Sequence, residues 1–536
     1  SDAIGGTVQV FGYQPELTNN PEWGGGVITR FATGGMEQSL HSVLNHGNKR
    51  SAFRVSVTAR NFGDIVGGDT TGKQVPTGYQ EFDYDIRTKL LLAKYTTLTL
   101  VYQSVHQADI PVYHKYILEN YAVNKMDPQN RKLGYVRMNQ KFNGDILKSA
   151  VFTASVHSGE EGRELQKNGS TFLRMERDKI RSLGFSAEAV TSLSGIWSAN
   201  SGFEVYNDAV KSNRTDTDLT TGASADKRGL YPDGSEMTSL AVFSLHSLDL
   251  GLWGLTAGAR YNSFIINVDD EAVGNARLTP SAIVANFAVM RSITKGSNLF
   301  ASVNTGFRAP NIDDLGTLGI VDFRYETPNY DLKPEHSFQY QVGYKLIGEK
   351  ISGEAYVYMN HLRDLIVRNK VEGDSIDGYQ VYIKDNAEKA YIQGFETSWD
   401  LKVNRAWSFN AAFTYTYGQN ITKNEPVRRI PPAFWRMSVD YNPAIWWINL
   451  EWFGAGKQDR LASGDQADNR IPQGGTPGWN IINLGCGIDS ELYNIDLSLC
   501  NLFNADYRYH GSGINGVGRS VLLTMAVNIG NLRNKK

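Results

Sequence analysis

The stretch Trp407–Tyr417, WSFNAAFTYTY, sets Trp407, Phe409, Ala411, Phe413, Tyr415 and Tyr417 on alternate positions, with Ser408, Asn410, Ala412, Thr414 and Thr416 between them. A repeat of two sends successive side chains to opposite faces of a strand, so this segment has one apolar face and one polar face. The same alternation runs through WGLTAGARYN, where Trp253, Leu255, Ala257, Ala259 and Tyr261 oppose Gly254, Thr256, Gly258, Arg260 and Asn262. In YNIDLSLC, Tyr493, Ile495, Leu497 and Leu499 oppose Asn494, Asp496, Ser498 and Cys500; in SVLLTMAVNI, Val521, Leu523, Met525, Val527 and Ile529 align. Aromatic residues gather at strand ends, as a belt at a membrane interface requires.

From Gly24 onward the pattern gives about 22 strands. Short turns are expected near Gly47–Arg50, Lys94–Thr97, Asn143–Ile146, Leu193–Ile196, Asp249–Leu252, Ile293–Asn298, Gly348–Ile351, Val403–Ala406, Asn442–Ala444 and Asp489–Glu491. Between them lie connections that are mostly long: Gln107–Arg131, Asn207–Gly234, Arg308–Pro334, Asp364–Glu388, Gly418–Ile430, Gly456–Pro477 and Asn504–Gly518. A soluble all-β protein has no reason to sort its connections by parity, whereas an outer-membrane barrel keeps short turns on the periplasmic side and long loops outside. Soluble β-sandwiches would also need a second sheet over the apolar face of every strand. The expected fold is an all-β, 22-stranded antiparallel transmembrane β-barrel over residues 23–530, with residues 1–22 before it and a polar tail at 531–536.

Composition agrees. The chain has 536 residues with 53 Gly, 27 Tyr and 10 Trp, a mean hydropathy of −0.36, and no apolar run of the roughly 18 residues that a spanning helix needs. Lys+Arg is 54 against Asp+Glu 56, and no long basic run points to a nucleic-acid partner. Cys486 and Cys500 fall on opposite faces of neighbouring strands, so no disulfide is expected between them.

Nothing assembles a catalytic set. The nine His form no H-E-x-x-H, the two Cys form no C-x-x-C, and G-x-S-x-G is absent, so neither an enzyme nor a bound metal or cofactor is expected. SGEEGRE (Ser158–Glu164) and NVDDEA (Asn267–Ala272) lack the alternation of a calcium loop and read as solvated loop tips. The candidate ligand-binding groups are aromatic and cationic residues of the long connections: Tyr113, His114, Tyr116 and Tyr121; Arg308, Arg324, Tyr325 and Tyr330; Lys457, Arg460 and Arg470; Arg508, Tyr509 and His510. Guanidinium groups bind oxyanions bidentately and aromatic faces add contact area, a combination suited to a bulky anionic chelate.

Several segments carry a family resemblance. SDAIGGTVQV (Ser1–Val10), with its Gly5–Gly6 pair, is similar to the end of the plug domain of TonB-dependent outer-membrane receptors. GFRAPNIDDLG (Gly306–Gly316), which contains Phe307, Arg308, Ala309 and Pro310, resembles the FRAP segment atop a mid-barrel strand in that family, and NYDLKPEHS (Asn329–Ser337) resembles the stretch that follows it. YIQGFETSW, RRIPPAFW, IPQGGTPGW and NLFNADYRYHGSGINGVGRS are similar to its late strands and loops, especially in Bacteroidetes-like members.

The resemblance implies residence in the bacterial outer membrane, contact with its lipid and lipopolysaccharide, and uptake of a scarce ligand such as a ferric siderophore or cobalamin. It implies a plug domain and TonB as partners, with residues 1–22 as the residual C-terminal segment of that plug and most of the plug missing from this sequence, and allows a surface lipoprotein. Arg308 is expected to fix loop or plug geometry. Asn311–Asp331 lacks the His that haem importers place there, which disfavours haem. A passive plugless pore and a scaffold subunit of a larger outer-membrane assembly are the alternative roles.

Overall fold

The computed structural model describes residues 10–270, 274–316, 319–321, 324–376 and 378–530, the side chains of 316–324 excepted. Gly5, Gly6, the side chain of Arg324 and the tail at 531–536 lie outside the described residues.

Among these residues, 22 strands form a closed antiparallel barrel. They are β1 Glu22–Ala32, β2 Glu37–Gly47, β3 Ser51–Phe62, β4 Tyr79–Ala93, β5 Thr96–Ala108 and β6 Tyr121–Lys141. Then come β7 Leu147–Lys167, β8 Phe172–Ser194, β9 Trp197–Asp218, β10 Glu236–Asp249, β11 Trp253–Asp270 and β12 Ser281–Thr294. The circuit continues with β13 Ser297–Arg308, β14 Glu335–Ile347, β15 Ile351–Ile376, β16 Tyr379–Lys402 and β17 Trp407–Asn420. It ends with β18 Phe434–Tyr441, β19 Trp446–Ala455, β20 Trp479–Asp489, β21 Tyr493–Cys500 and β22 Ser520–Gly530. β22 returns to β1 in register from Gly24↔Gly530 to Ala32↔Leu522, so neither edge is left unpaired. The strands do the crossing: no described helix is long and apolar enough to span a membrane.

Parity sorts the two surfaces. Trp407, Phe409 and Tyr415 stand exposed on the outside of β17, while inside Asn410 donates to Ser438 at 3.1 Å and to Asp440 at 2.6 Å. A ring of aromatics marks the short-turn end, as interfacial side chains with an apolar body and a polar tip should. Tyr441 packs on Trp407 and Trp446 with centroids 4.6 and 5.3 Å apart, Trp23 on His46 at 4.4 Å, and Arg291 lies 4.8 Å over the Trp253 ring. Cys486 and Cys500 are both free.

The short turns fall where expected, but two of the expected long loops are strand. Most of Gln107–Arg131 and Asp364–Glu388 belongs to β5, β6, β15 and β16, as does Asn207–Asp218 to β9. These antiparallel ribbons rise beyond the membrane because cross-strand pairing satisfies their backbone as well in water as in lipid. SGEEGRE is likewise part of β7 rather than a loop tip, and Asp270 of NVDDEA accepts from Arg228 Nε at 2.9 Å.

The remaining loops fold over the lumen in two masses. Ala309, the short helix α2 Ile312–Gly316 (the second of three short helices among the described residues) and Leu332 pack on the upper inner wall of β11 and β12. Ile312, Leu315 and Leu332 there meet Phe264, Ile266 and Val284. On the other side, loops 63–78, 421–433, 456–478 and 501–519 interlock: Gln74 and Asn515 exchange hydrogen bonds of 3.0 and 2.9 Å, and Gln458 Nε2 donates to the Ile430 carbonyl at 2.8 Å.

Ahead of β1, a strap at residues 10–21 runs along the lumen wall. Thr18 N donates to the Asn48 carbonyl at 3.2 Å at the β2–β3 turn. Further inside, Arg54 lies 4.4 Å over the Tyr13 ring and Arg87 Nη1 donates to the Tyr13 carbonyl at 3.1 Å. Val10 and Phe11 are 88% and 87% exposed within this open lumen.

Candidate functional site

Most of the cationic and aromatic residues singled out in the sequence sit in the loop masses and are bound there to neighbouring loop or strand residues, while Tyr113, His114 and Tyr116 lie on a short helix and Tyr121 opens β6. Arg470 holds Asp468 with two hydrogen bonds of 2.9 Å, and Arg428 and Arg429 converge on the same carboxylate. Arg470 accordingly holds Asp468 well below the usual carboxylate range. Arg460 donates to Gln419 at 3.0 Å and stacks 3.9 Å over Tyr417. Arg508 bonds Asn515 through its side chain, and its carbonyl takes the Trp479 indole N–H at 3.1 Å.

Tyr509 packs on Trp479 and Phe434, centroids 5.4 and 6.0 Å away. His510 Nδ1 meets Thr476 Oγ1 at 2.9 Å, and burial lowers its pKa, as it does that of His114. His114 and Tyr116 belong to α1, Tyr113–Leu118, the first of the short helices. Tyr116 Oη accepts from Asn124 N at 2.9 Å, and His114 is crowded against Gly513. Tyr113 is half-buried and Tyr330 exposed. Arg324 and Tyr325 belong to a short strand, and Tyr325 pairs in parallel with Val381 of β16.

The FRAP segment is a joint. Arg308 donates to both carboxylate oxygens of Glu335 at 2.9 Å and to Asp314 at 2.7 Å. Phe307 is fully buried beside Phe264, centroids 5.8 Å apart. Ala309 is buried against the same cluster, and Pro310 is fully buried.

Between the loop masses the lumen stays open as a vestibule of about 550 Å³. Its wall comes from the inner faces of β6–β9, with Tyr231 and the loop residues Asn311, Ile312 and Asp313. Arg131 Nε lies 3.2 Å from His157 Nε2, which fixes that imidazole nitrogen as the acceptor. Asp208 has no hydrogen-bond or ion-pair partner among the described residues. Ile180, Val210 and Met237 supply the apolar part. Below it, sharing His157, Asp208 and Met237, a second cavity of about 540 Å³ reaches Arg260 and Glu204, themselves paired at 2.7 Å.

Of the vestibule lining, Asn311, Ile312 and Asp313 lie in the FRAP-like segment and Gly159–Glu161 in SGEEGRE, but Arg131, His157, Asp208 and Tyr231 are not among the candidate ligand-binding residues of the sequence. His157 occupies an inner position of β7, and that parity was the one available signal.

A closed barrel with this polar lumen and inward loops agrees with the family model described as TonB dependent receptor-like, β-barrel, which matches residues 45–505. The chain belongs to the TonB-dependent receptor family. As a receptor of this family it is an outer-membrane protein, and the family acts with a plug and with TonB. Solved structures share its fold. The copper transporter OprC superposes with a TM-score of 0.83 at 15% identity, over 96% of this chain and 82% of that one. The FrpB iron transporter from Neisseria meningitidis (F3-3 variant) gives 0.76 at 15% identity, over 95% and 81%. The siderophore receptor PirA from Acinetobacter baumannii gives 0.73 at 15% identity, over 96% and 81%. No curated protein matches this sequence.

Proposed function

We propose that this receptor captures a scarce, bulky chelate such as a ferric siderophore or cobalamin in the extracellular vestibule and passes it inward with a plug and TonB. The observation that carries this reading is the vestibule itself. It is a concave site with an apolar side and convergent polar groups, Arg131, His157, Asp208 and Tyr231. A volume near 550 Å³ suits an organic chelate better than a bare ion. The cargoes named for the structural relatives, copper, iron and siderophores, are of the same broad class.

This reading moves the ligand from the loop arginines to the vestibule. Arg308, Arg460, Arg470 and Arg508 brace loops, whereas Arg131 and Asp208 face free space. The test is equilibrium binding of a panel of ferric siderophores and cobalamin to the purified receptor. Asp208→Asn and Tyr231→Phe should each weaken the bound member about tenfold, and Arg460→Gln should not. Binding that follows Arg460 and ignores Asp208 would return the ligand to the loops. If no member binds and the barrel conducts ions freely in planar bilayers, the passive-pore role stands instead.

A further inference from the structure

The vestibule is one-sided in charge. Carboxylates face it from the wall and from the loop mass beside it: Glu161 on β7, Asp178 on β8, Asp208 on β9 and Asp313 on α2. The cations among its described lining residues are Arg131 and Lys179. Lys179 takes the outward parity of β8 and meets Glu160, of the same outward face, at 3.2 Å, so this pair adds nothing to the lumen. Arg131 is left against the four inner carboxylates, and its Nε is directed at His157 rather than at any of them.

Pairing reduces this excess without cancelling it. Arg163 is shared among Glu161 at 3.3 Å, Glu176 at 3.4 Å and Asp178, one guanidinium for three carboxylates. Lys384 lies 3.4 Å from the Asp313 carboxylate, but its ammonium also donates to the Asp313 carbonyl at 2.7 Å and reaches Asp314 at 3.9 Å. Tyr231 registers the resulting field. Burial and then Asp313 push its phenol above the ordinary value, with Asp178 and Glu161 adding to the shift and Arg163 opposing it. The loop arginines that could restore balance are spent elsewhere, Arg428, Arg429 and Arg470 on Asp468 and Arg308 on Glu335 and Asp314.

Resting on the vestibule as the capture site, we propose that it selects its chelate by charge: neutral and positively charged complexes enter, multiply negative ones are turned away, and Asp208 and Asp313 set the discrimination. A multiply negative complex would shed its water against carboxylates that have no cation to spare. A complex with an ammonium or N–H group aimed at Asp208 gains from the same field, because a cleft lined by one sign of charge concentrates the opposite sign. Tyr231 and Asn311 offer neutral hydrogen bonds to its oxygens, and Ile180, Val210 and Met237 cover its apolar side. The cargo is thereby narrowed away from the anionic complexes that the arginine-rich loops suggest.

The test varies charge on one scaffold. Ferrioxamine B carries a single positive charge on its free amine, its N-acetyl derivative is neutral, and its N-succinyl derivative carries a single negative charge. In calorimetric titrations of the purified receptor at low ionic strength, affinity should fall about threefold at each step, about tenfold in all, and about 0.5 M salt should bring the three together. Asp208→Asn and Asp313→Asn should each shrink the tenfold ratio to about threefold, whatever they do to affinity itself. Glu349→Gln, the same charge change in an exposed short turn, should leave the ratio intact. The salt series needs no variant, so it decides the matter even where a substitution disturbs the loop. Equal affinities, or tightest binding of the succinyl derivative, overturn the charge rule; if Tyr231→Phe then still weakens all three alike, the vestibule stands as the site. A ranking that survives both Asp→Asn changes, or no binding by any member, overturns the charge rule and the vestibule reading together.

Discussion

Trp479 is the residue on which the 501–519 loop depends, and replacing it should release that loop while leaving the barrel closed. The side chain is 6% exposed and touches rings from three chain segments: Phe434 at 6.3 Å, Phe453 at 5.1 Å, Tyr507 at 4.8 Å and Tyr509 at 5.4 Å. Its indole N–H also holds the Arg508 carbonyl at 3.1 Å. Trp479→Ala removes all of these contacts, a change that costs about 3–5 kcal/mol in a packed core. At about 1.4 kcal/mol per factor of ten, amide exchange across 501–519 should accelerate by roughly a hundredfold to a few thousandfold. Trp479→Phe keeps most of the ring packing but orphans the Arg508 carbonyl, at about 1–3 kcal/mol, so it should fall between. Hydrogen exchange read by mass spectrometry separates the loop from the strand amides of 484–489, which should exchange as in wild type. Unchanged protection of 501–519 in the Ala variant would refute the reasoning, because the Gln74–Asn515 hydrogen bonds would then suffice to hold the loop.

Leu497→Arg, on the outer face of β21, should destabilise the barrel by about 2–4 kcal/mol if it lies near the bilayer midplane, and Ser498→Arg on the inner face by much less, measured by urea unfolding in lipid vesicles. Arg308→Gln should cost about 3–5 kcal/mol by stranding Glu335 and Asp314, with protease sensitivity appearing first in 309–334. Because burial lowers the pKa of His510 and His114 below the ordinary 6.5, the opened loops take up protons first as pH falls. Cap stability should therefore be constant above about pH 6.5 and decline below it, with limited proteolysis as the readout and His510→Gln flattening the profile. Asp468 is lowered as well, but from an ordinary carboxylate value far below this window, so its contribution persists through it and is lost only in stronger acid. A tag inserted at Gly222, an exposed hairpin tip, should be labelled on intact cells, and one at Ser490 should not.

The strand count and the two-sided chemistry of the wall were legible because lipid outside and water inside impose opposite demands on neighbouring residues. Trp407 and Asn410 declare their faces by type alone. Above the membrane that contrast vanishes, since both faces are wet. Asp364–Glu388 therefore reads as loop although β15 and β16 continue through most of it. The candidate site was hidden for two reasons. Arg308 finds Glu335, and Arg429 finds Asp468, across sequence gaps of 27 and 39 residues, which composition does not reveal. His157 and Asp208 lie inside long ribbons, where nothing in the local pattern sets them apart from other polar positions.

The strap before β1 defines a load path. Tension on the residues ahead of Tyr13 meets the contacts of Arg54 and Arg87 with Tyr13, and then the Thr18–Asn48 bond, one after another. Contacts broken in sequence do not share the load, so each gives way alone. Only then does the pull reach β1, whose hydrogen bonds to β2 and β22 run along both edges and share the load in shear. Under such a pull the strap should leave the lumen wall before β1 parts from its neighbours, like a fuse set ahead of the barrel.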